Sequence, residues 1–176
     1  MTESKYARIE RERRFLVCDL PEEIAGRTNY LRIFDVYLPG THLRLRRIED
    51  GDGNVISRKF GQKFPAQPDQ TESTLMTNFY LDESEYMRLS TLEGRTITKR
   101  RYSFEFDGQH FSIDVFEGNL AGLILCETEV RQTDITHIKL PSFVKREVTL
   151  DLFFTGGSLA NLAPKDLKRR LHDECN

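Results

Sequence analysis

Alternation of apolar and polar residues with a period of two recurs eight times along the chain and constrains its fold more than any other feature. Such alternation indicates half-buried antiparallel strands. Two pairs of consecutive segments are separated by Asp52-Gly53 and Asp107-Gly108, which favour two-residue hairpin turns because these residue types tolerate positive φ. The predicted strands cover residues 8–17, 28–38, 42–49, 54–63, 71–80, 95–106, 109–117 and 123–131.

Eight hairpin-connected strands predict a mainly β (α+β) protein whose sheet closes into an eight-stranded antiparallel β-barrel, because closure removes exposed strand edges. An open curved sheet and a sandwich are the alternatives. Short peripheral helices are predicted over 20–25, 81–89 and 162–172, with start signals at Asp82 and Pro164. Residues 65–70 are predicted to form a surface loop, and 156–157 a turn. We expect residues 1–176 to form a single domain.

Composition narrows the classes of function. The chain has 26 basic and 28 acidic residues, which does not give the basic field expected of a nucleic-acid binder. Its apolar runs fall short of the roughly 20 residues of a membrane span, and its charged first residues do not resemble a secretory signal. We therefore expect a cytoplasmic protein with no nucleic-acid or membrane partner. The widely spaced Cys18, Cys126 and Cys175 are predicted to be free thiols.

Charged residues two positions apart recur on four of the predicted strands. Because side chains alternate between the faces of a strand, each pair shares a face, with a separation of about 6.6 Å. One interpretation is the solvated face of a half-buried sheet. The other is a wet barrel interior, in which carboxylates suit a hard divalent cation while Arg and Lys bind phosphate oxygens. The sets are Glu10, Glu12 and Arg14; Arg44 and Arg46; Lys99 and Arg101; Glu127 and Glu129.

The segment 10–17, ERERRFLV, resembles the amino-terminal ExExK signature of the CYTH superfamily, the triphosphate tunnel metalloenzymes. Arg14 stands where that family has Lys. The arginine keeps the positive charge but replaces the compact ammonium group of lysine with a planar guanidinium group. The resemblance continues in order to about Ala160. It implies a closed triphosphate tunnel with a divalent metal cofactor, Mg²⁺ or Mn²⁺. Further matching segments are 41–46, like the family's Arg-x-Arg strand, 99–101, like its Lys-x-Arg strand, and 113–130, like its distal block ending in Glu-x-Glu.

The resemblance implies roles for individual residues. Lys59 shares strand parity with Lys63, and we favour Lys63 because it lies nearer the strand end. The family often has a second acidic pair where this chain has Glu72 followed by Thr74. The implied metal ligands are Glu10, Glu12, Glu72, Glu127 and Glu129; the implied catalytic residues are Glu10, Glu12, Asp114, Glu127 and Glu129; the implied phosphate ligands are Arg14, Arg44, Arg46, Lys63, Lys99, Arg101 and Lys145. We expect His42, His110 and His137 to be surface residues, with a catalytic role for His42 as the less favoured alternative.

The preferred function is metal-dependent hydrolysis of a small-molecule triphosphate, most simply inorganic tripolyphosphate, because no organic recognition pocket is legible in the sequence. The resemblance leaves a class IV-type adenylate cyclase and a thiamine triphosphatase as alternatives. The absence of Trp weakly disfavours both, since a ring stacks best on Trp. A non-catalytic polyphosphate-binding module is a further alternative, which could dispense with the acidic residues. Monomer and homodimer are both open.

Overall fold

The computed structural model describes residues 7–67, 70–130 and 138–176. Between residues 65 and 72 it describes only the backbone of 65–67 and 70–72. Within these ranges the chain forms nine strands and three short α-helices. The strands are β1 Arg8–Val17, β2 Leu31–Tyr37, β3 Leu43–Glu49, β4 Val55–Gln67, β5 Gln70–Tyr80, β6 Arg95–Phe106, β7 Gln109–Phe116, β8 Ile124–Glu129 and β9 Val144–Glu147. The helices are α1 Glu83–Leu89, α2 Gly156–Ala160 and α3 Pro164–Cys175.

The eight predicted strands form a closed antiparallel barrel. Their order is β5-β4-β3-β2-β6-β7-β8-β1, and β1 also pairs with β5 through Arg8–Arg11, which completes the circle. The fold prediction is therefore confirmed, and the open sheet and the sandwich are excluded. The ninth strand, β9, was not predicted; it pairs with the second half of β1, beyond the pairing with β5.

Strand register places the charged sets on one common face of the barrel wall. Arg14 of β1 lies opposite Glu127 of β8, and Arg101 of β6 lies opposite Asp114 of β7. The hairpin between β6 and β7 turns at Asp107 and Gly108, whose φ values are 50° and 75°, as a type I′ turn requires. Because residues directly opposite each other share a face, this register brings acidic and basic side chains together.

The opposite, exterior face carries an apolar core on one side of the barrel. Phe15, Phe111 and Ile113 are fully buried there, and Ile24 and Phe143 pack against them from the segments outside the barrel. Cys126 belongs to this core as a buried free thiol, and burial raises its pKa to about 12. This apolar exterior explains why the charged face of the same strands points inward.

Part of the barrel interior is apolar rather than wet. Leu16 and Leu125 share strand faces with Arg14 and Glu127, yet both are buried in a cluster with Phe154 and other side chains of the C-terminal segment. The prediction of a charged lumen therefore holds for only part of the interior. The adjoining part is filled by the residues around α2 and α3.

Two of the three predicted helices are present. Asp82 caps α1 in a capping box: its side chain accepts the Glu85 backbone N–H while the Glu85 side chain accepts the Asp82 backbone N–H. Helix α3 begins at Pro164, where the missing N–H costs nothing. The helix predicted over 20–25 is wrong, because Pro21 and Gly26 confine the segment to hydrogen-bonded turns.

Two predictions for loops and turns are also wrong. Strand β4 continues through Gln67 and β5 begins at Gln70, so most of the predicted loop over 65–70 is paired sheet. Gly156 and Gly157 open helix α2 instead of forming an isolated turn. A Cβ on Gly156 would lie within van der Waals overlap of the Tyr37 ring, so glycine permits the close approach of α2 to β2.

The prediction of three free thiols is wrong for two of them. Cys18, directly after β1, forms a disulfide with Cys175 at the end of α3, with 5.6 Å between their Cα atoms. The bond closes a loop across most of the chain and holds α3 beside the barrel; crosslinks of this length constrain the unfolded chain most.

In the described ranges no helix is long and apolar enough to cross a membrane.

Candidate active site

Two carboxylates of β1 converge on one lysine at the start of the charged interior. Lys63 of β4 donates from Nζ to Glu10 at 2.7 Å and to Glu12 at 3.1 Å. Burial alone would lower the pKa of Lys63, but the charges of Glu12 and Glu10 more than offset it, so its pKa is raised. The lysine is therefore a firmly held cation between two acidic groups.

Arg14 continues the ionic contacts toward β8. Its Nη2 donates to Glu12 at 2.5 Å, its Nε to Glu127 at 2.8 Å and its Nη1 to the Phe154 carbonyl at 3.2 Å. Burial would raise the pKa of Glu127, but Arg14, Lys99 and other nearby cations hold it well below its usual value. Both groups therefore stay charged although they are largely enclosed.

A third set joins β6, β7 and β8. Arg101 donates to both oxygens of Asp114, each at 2.6 Å, and to Glu127 at 2.7 Å. Lys99 also donates to Asp114, which is fully enclosed by protein. Burial lowers the pKa of Lys99 and the neighbouring Arg101 charge adds to this, although Asp114 opposes both. Asp114 is thus the shared counter-ion of the buried Lys99 and the partly exposed Arg101.

Asp35 of β2 is a part of this interior that the sequence analysis missed. Its two oxygens accept from Nε and Nη2 of Arg46 at 2.6 and 2.7 Å, and Arg44 lies 3.7 Å away. Asp35 is only 2% exposed. Burial would raise its pKa, but Arg46 and Arg44 lower it far below the ordinary value. Asp35 therefore fixes the orientation of Arg46 and attracts Arg44.

These contacts form an interior of alternating charge within the closed wall. Each carboxylate has at least one basic partner, and Lys63, Arg14 and Arg101 each contact two acids. The alternating set contains Glu10, Lys63, Glu12, Arg14, Glu127, Arg101, Asp114 and Lys99, with Asp35, Arg46 and Arg44 beside it. If ligands replace the internal ion pairs, the bases of this set can bind a polyanion and its acids can bind a cation.

Two known proteins that resemble this chain in sequence carry the same name. No protein-family model matches the chain. A relative named inorganic triphosphatase from Nitrosomonas europaea is 29% identical over 164 residues, which cover 88% of this chain and 99% of the relative. A relative of the same name from Acetivibrio thermocellus is 33% identical over 76 residues, 43% of this chain and 48% of the relative.

The barrel itself also matches a solved structure. A crystal structure described as an inorganic triphosphatase superimposes with a TM-score of 0.59 and 27% identity, covering 88% of this chain and 96% of that chain. Both comparisons agree with the resemblance to the CYTH superfamily, the triphosphate tunnel metalloenzymes. The residues of the first strand that carry the resemblance, Glu10, Glu12 and Arg14, share one face of β1 in this barrel.

Most residues that the CYTH resemblance singled out are brought together in the interior. Lys63 contacts Glu10 and Glu12, whereas Lys59 lies with its Nζ 5.0 Å from the centroid of the exposed Tyr80 ring. This geometry supports the choice of Lys63 over Lys59. His42 is exposed at the strand end, with its ring beside Phe64.

Two predicted site residues, Glu129 and Lys145, stand apart from this interior set, and the side chain of a third lies outside the described part of the structure. Glu129 is 74% exposed, with Arg8 as a distant partner at 3.7 Å, because it lies at the last position of β8. Lys145 is exposed on β9, which pairs outside the eight-stranded barrel. Glu72 lies in β5, but its side chain falls outside the described part of the structure, as does His137.

The resemblance to the CYTH superfamily implies a divalent metal. Among the residues that the structure describes, no group of three or more His, Cys, Asp or Glu is placed to hold one. Glu10 and Glu12 nevertheless direct oxygens at one cation, the Lys63 ammonium group, which stands in for a positive ion at that point. Mg²⁺ is commonly held by one or two carboxylates together with waters and substrate phosphates. The Glu10 and Glu12 pair fits such a site.

Proposed function

We propose that this chain hydrolyses inorganic tripolyphosphate in the charged interior of its barrel, with Mg²⁺ or Mn²⁺ as cofactor. The observation that carries the proposal is the alternation of acids and bases from Glu10 to Lys99 inside a closed wall. The likeness to a protein named inorganic triphosphatase, which covers 88% of this chain, supports the same substrate.

The basic side chains would bind the phosphate oxygens. Arg14, Arg101 and Lys99 approach from β1 and β6, and Arg44 and Arg46 approach from β3, on the same interior face. Arginine forks match phosphate geometry bidentately, and enclosure strengthens each contact because the local dielectric is low. Bases on several strands can therefore hold a linear triphosphate in a fixed orientation.

The acidic side chains would hold these bases in place before substrate binds. Some of the bases would then leave their acidic partners and contact the substrate. Asp35 and Asp114 orient Arg46 and Arg101 through paired hydrogen bonds, so the guanidinium groups are positioned before substrate enters. Glu10 and Glu12 would hold the metal, which when bound supplies charge neutralisation to phosphate oxygens and lowers the pKa of a bound water. Lys63 would then turn from these carboxylates toward the substrate.

In the reaction a water oxygen attacks a terminal phosphorus, the phosphoanhydride bond breaks, and the products are phosphate and pyrophosphate. The bases offset the charge that moves onto the leaving pyrophosphate, so positioning and electrostatics supply most of the rate. A class IV-type cyclase would instead need a ribose hydroxyl as the nucleophile, and a thiamine triphosphatase a thiamine ester. A binding module would need no metal ligands, whereas Glu10 and Glu12 converge on one cation.

The proposal predicts substrate preference. With Mg²⁺ or Mn²⁺, tripolyphosphate should be hydrolysed at least about tenfold faster than ATP, a barrier difference of about 1.4 kcal/mol. Phosphate release from both substrates measures the preference, and an assay for cyclic AMP runs beside it. Chelation of the metal should stop the reaction.

Two results would contradict this prediction. Cyclic AMP and pyrophosphate appearing in equal amounts from ATP would favour the cyclase. Tight binding of tripolyphosphate with no metal-dependent phosphate release would favour the binding module.

Arg44 offers a test of phosphate binding that leaves Asp35 paired. Arg44→Ala should raise KM for tripolyphosphate about 10- to 100-fold, the equivalent of one or two charge-assisted hydrogen bonds. Asp35 keeps its bidentate partner Arg46 in this variant. Arg47→Ala is the matched control, because Arg47 points outward over Phe34 and pairs with Glu49. Equal effects of the two substitutions would contradict the role of Arg44.

A further inference from the structure

Helix α3 covers the apolar part of the barrel interior and is held there by three kinds of contact. Leu167 is buried in the apolar cluster that also contains Leu16 of β1, and Leu171 packs against the same cluster. Ion pairs and the disulfide between Cys175 and Cys18 hold the end of the helix. A helix of 12 residues is marginally stable alone in water, so α3 depends on these contacts to stay folded.

The ion pairs at the end of α3 are weak tethers. Glu174 accepts from Nε of Arg146 on β9 at 2.6 Å, and Arg170 donates from Nη2 to Asp151 at 2.6 Å. The side chains of Arg146 and Arg170 are 37% and 36% exposed. Water screens ion pairs of this exposure, so they contribute little to stability. The disulfide is therefore the main tether of the last turn of α3.

The disulfide lies where a reductant can reach it. Cys18 directly follows β1 and Cys175 is the last residue of α3, and both are only half-buried. Cys126, in contrast, is fully buried, and burial raises its pKa to about 12. Exchange requires a thiolate to approach a sulfur atom directly, and a buried thiol of high pKa does not take part. A dithiol can therefore reduce the bond between Cys18 and Cys175 and leave Cys126 unchanged.

Helix α3 is connected to the charged interior through Phe154. The guanidinium carbon of Arg170 lies 5.8 Å from the centroid of the Phe154 ring, and Leu167 belongs to the same buried cluster as that ring. The carbonyl oxygen of Phe154 accepts from Nη1 of Arg14 at 3.2 Å. The helix thus supports a residue that orients Arg14, one of the proposed phosphate ligands.

We propose that the bond between Cys18 and Cys175 is a redox-controlled latch on α3, which sets the affinity of the barrel interior for a triphosphate. The sequence analysis predicts a cytoplasmic protein, and disulfides in the cytoplasm are mostly transient or redox-sensing. A dithiol reductant breaks the S–S bond: the two cysteines gain two electrons and two protons, and the dithiol is oxidised to its own disulfide. Exchange with an oxidised dithiol closes the latch again.

Reduction frees the end of α3 without changing any residue of the charged interior. The helix then leaves the barrel more often, Phe154 loses part of its support, and its carbonyl holds Arg14 less firmly. Triphosphate affinity falls because Arg14 is no longer fully oriented before the substrate binds. The change in affinity rests on the proposed function, whereas the release of α3 does not.

The first measurement is hydrogen exchange of the α3 amides, followed by mass spectrometry in the oxidised protein and after reduction with dithiothreitol. Reduction should speed their exchange at least about tenfold, because the released helix unfolds locally. Helix α1, which is paired with β4 through Glu83 and Arg58, is the internal control and should exchange at an unchanged rate. Cys175→Ser should exchange like the reduced protein and should not respond to dithiothreitol. This variant keeps Cys126, so it also controls for an effect of the reductant on that thiol.

The second measurement is the dissociation constant of tripolyphosphate, determined by calorimetry without divalent metal. It should be about fivefold higher for the reduced protein and for Cys175→Ser, as expected when one charge-assisted contact is weakened. A disulfide with a purely structural role would leave this constant unchanged. Unchanged exchange of α3 after reduction, or equal dissociation constants for the oxidised and reduced proteins, would overturn the inference. Hydrolysis of tripolyphosphate by the oxidised protein is measured separately and reports on the proposed function alone.

Discussion

Glu12→Gln is expected to lower metal-dependent hydrolysis of tripolyphosphate at least about 100-fold, a rise in barrier of about 2.7 kcal/mol. Glutamine keeps the volume of the side chain but removes the charged oxygen that a hard divalent cation prefers. Glu12 also accepts hydrogen bonds from Lys63 and Arg14, so its loss disturbs two bases that would contact phosphate. Glu10→Gln should have a similar effect through the same lysine.

The control for this prediction is Glu49→Gln. Glu49 is also a strand glutamate in an ion pair with an arginine, but it shares the outward face of β3 with Arg47. Both variants should keep the thermal transition of a folded barrel, measured by circular dichroism. Glu12→Gln retaining more than about a tenth of wild-type activity, less than 1.4 kcal/mol in the barrier, would contradict a metal-binding role.

The strands and the shared charged face could be predicted because both depend on a period of two. Glu10, Glu12 and Arg14 repeat with that period, and so do Lys99 and Arg101. The spacing alone therefore shows that the members of each set point to the same face of their strand. The predicted bounds of β1 and β6 agree with those observed. Local alternation is a property of consecutive residues, and for this reason the sequence alone displays it.

Asp35 and the disulfide could not be predicted in this way. Asp35 is a single acid between Phe34 and Val36, and its importance comes from Arg46, which the register of β2 and β3 places opposite it. Cys18 and Cys175 are 157 positions apart, and their approach depends on where α3 packs. Both features arise from contacts between distant segments, which no local pattern records.

Parity also could not decide where the charged interior ends. Leu16 follows Arg14 on the same face, and Glu129 follows Glu127, yet the first is buried in an apolar cluster and the second is exposed. The difference comes from the C-terminal segment, because its Phe154 packs in the same buried cluster as Leu16.

Asp114→Asn should lower the free energy of unfolding by about 3 kcal/mol, because removing one partner of a buried ion pair leaves the other charge uncompensated. Asp114 is fully enclosed and accepts from both Arg101 and Lys99. Arg101 keeps Glu127 as a partner, so the uncompensated charge falls mainly on Lys99. Chemical denaturation measures the loss, and Asp166→Asn on α3, where Asp166 pairs with Arg169 near the surface, should change stability little.

An anion that supplies the missing charge should restore part of this stability. Tripolyphosphate without metal should therefore raise the melting temperature of Asp114→Asn more than that of the wild-type protein, because in the variant the bases have lost a competing carboxylate. Turnover should still fall, since Asp114 no longer orients Arg101 and Lys99. A loss of less than about 1 kcal/mol in Asp114→Asn, or equal stabilisation of both proteins by tripolyphosphate, would show that Asp114 does not hold these two bases ready for a polyanion.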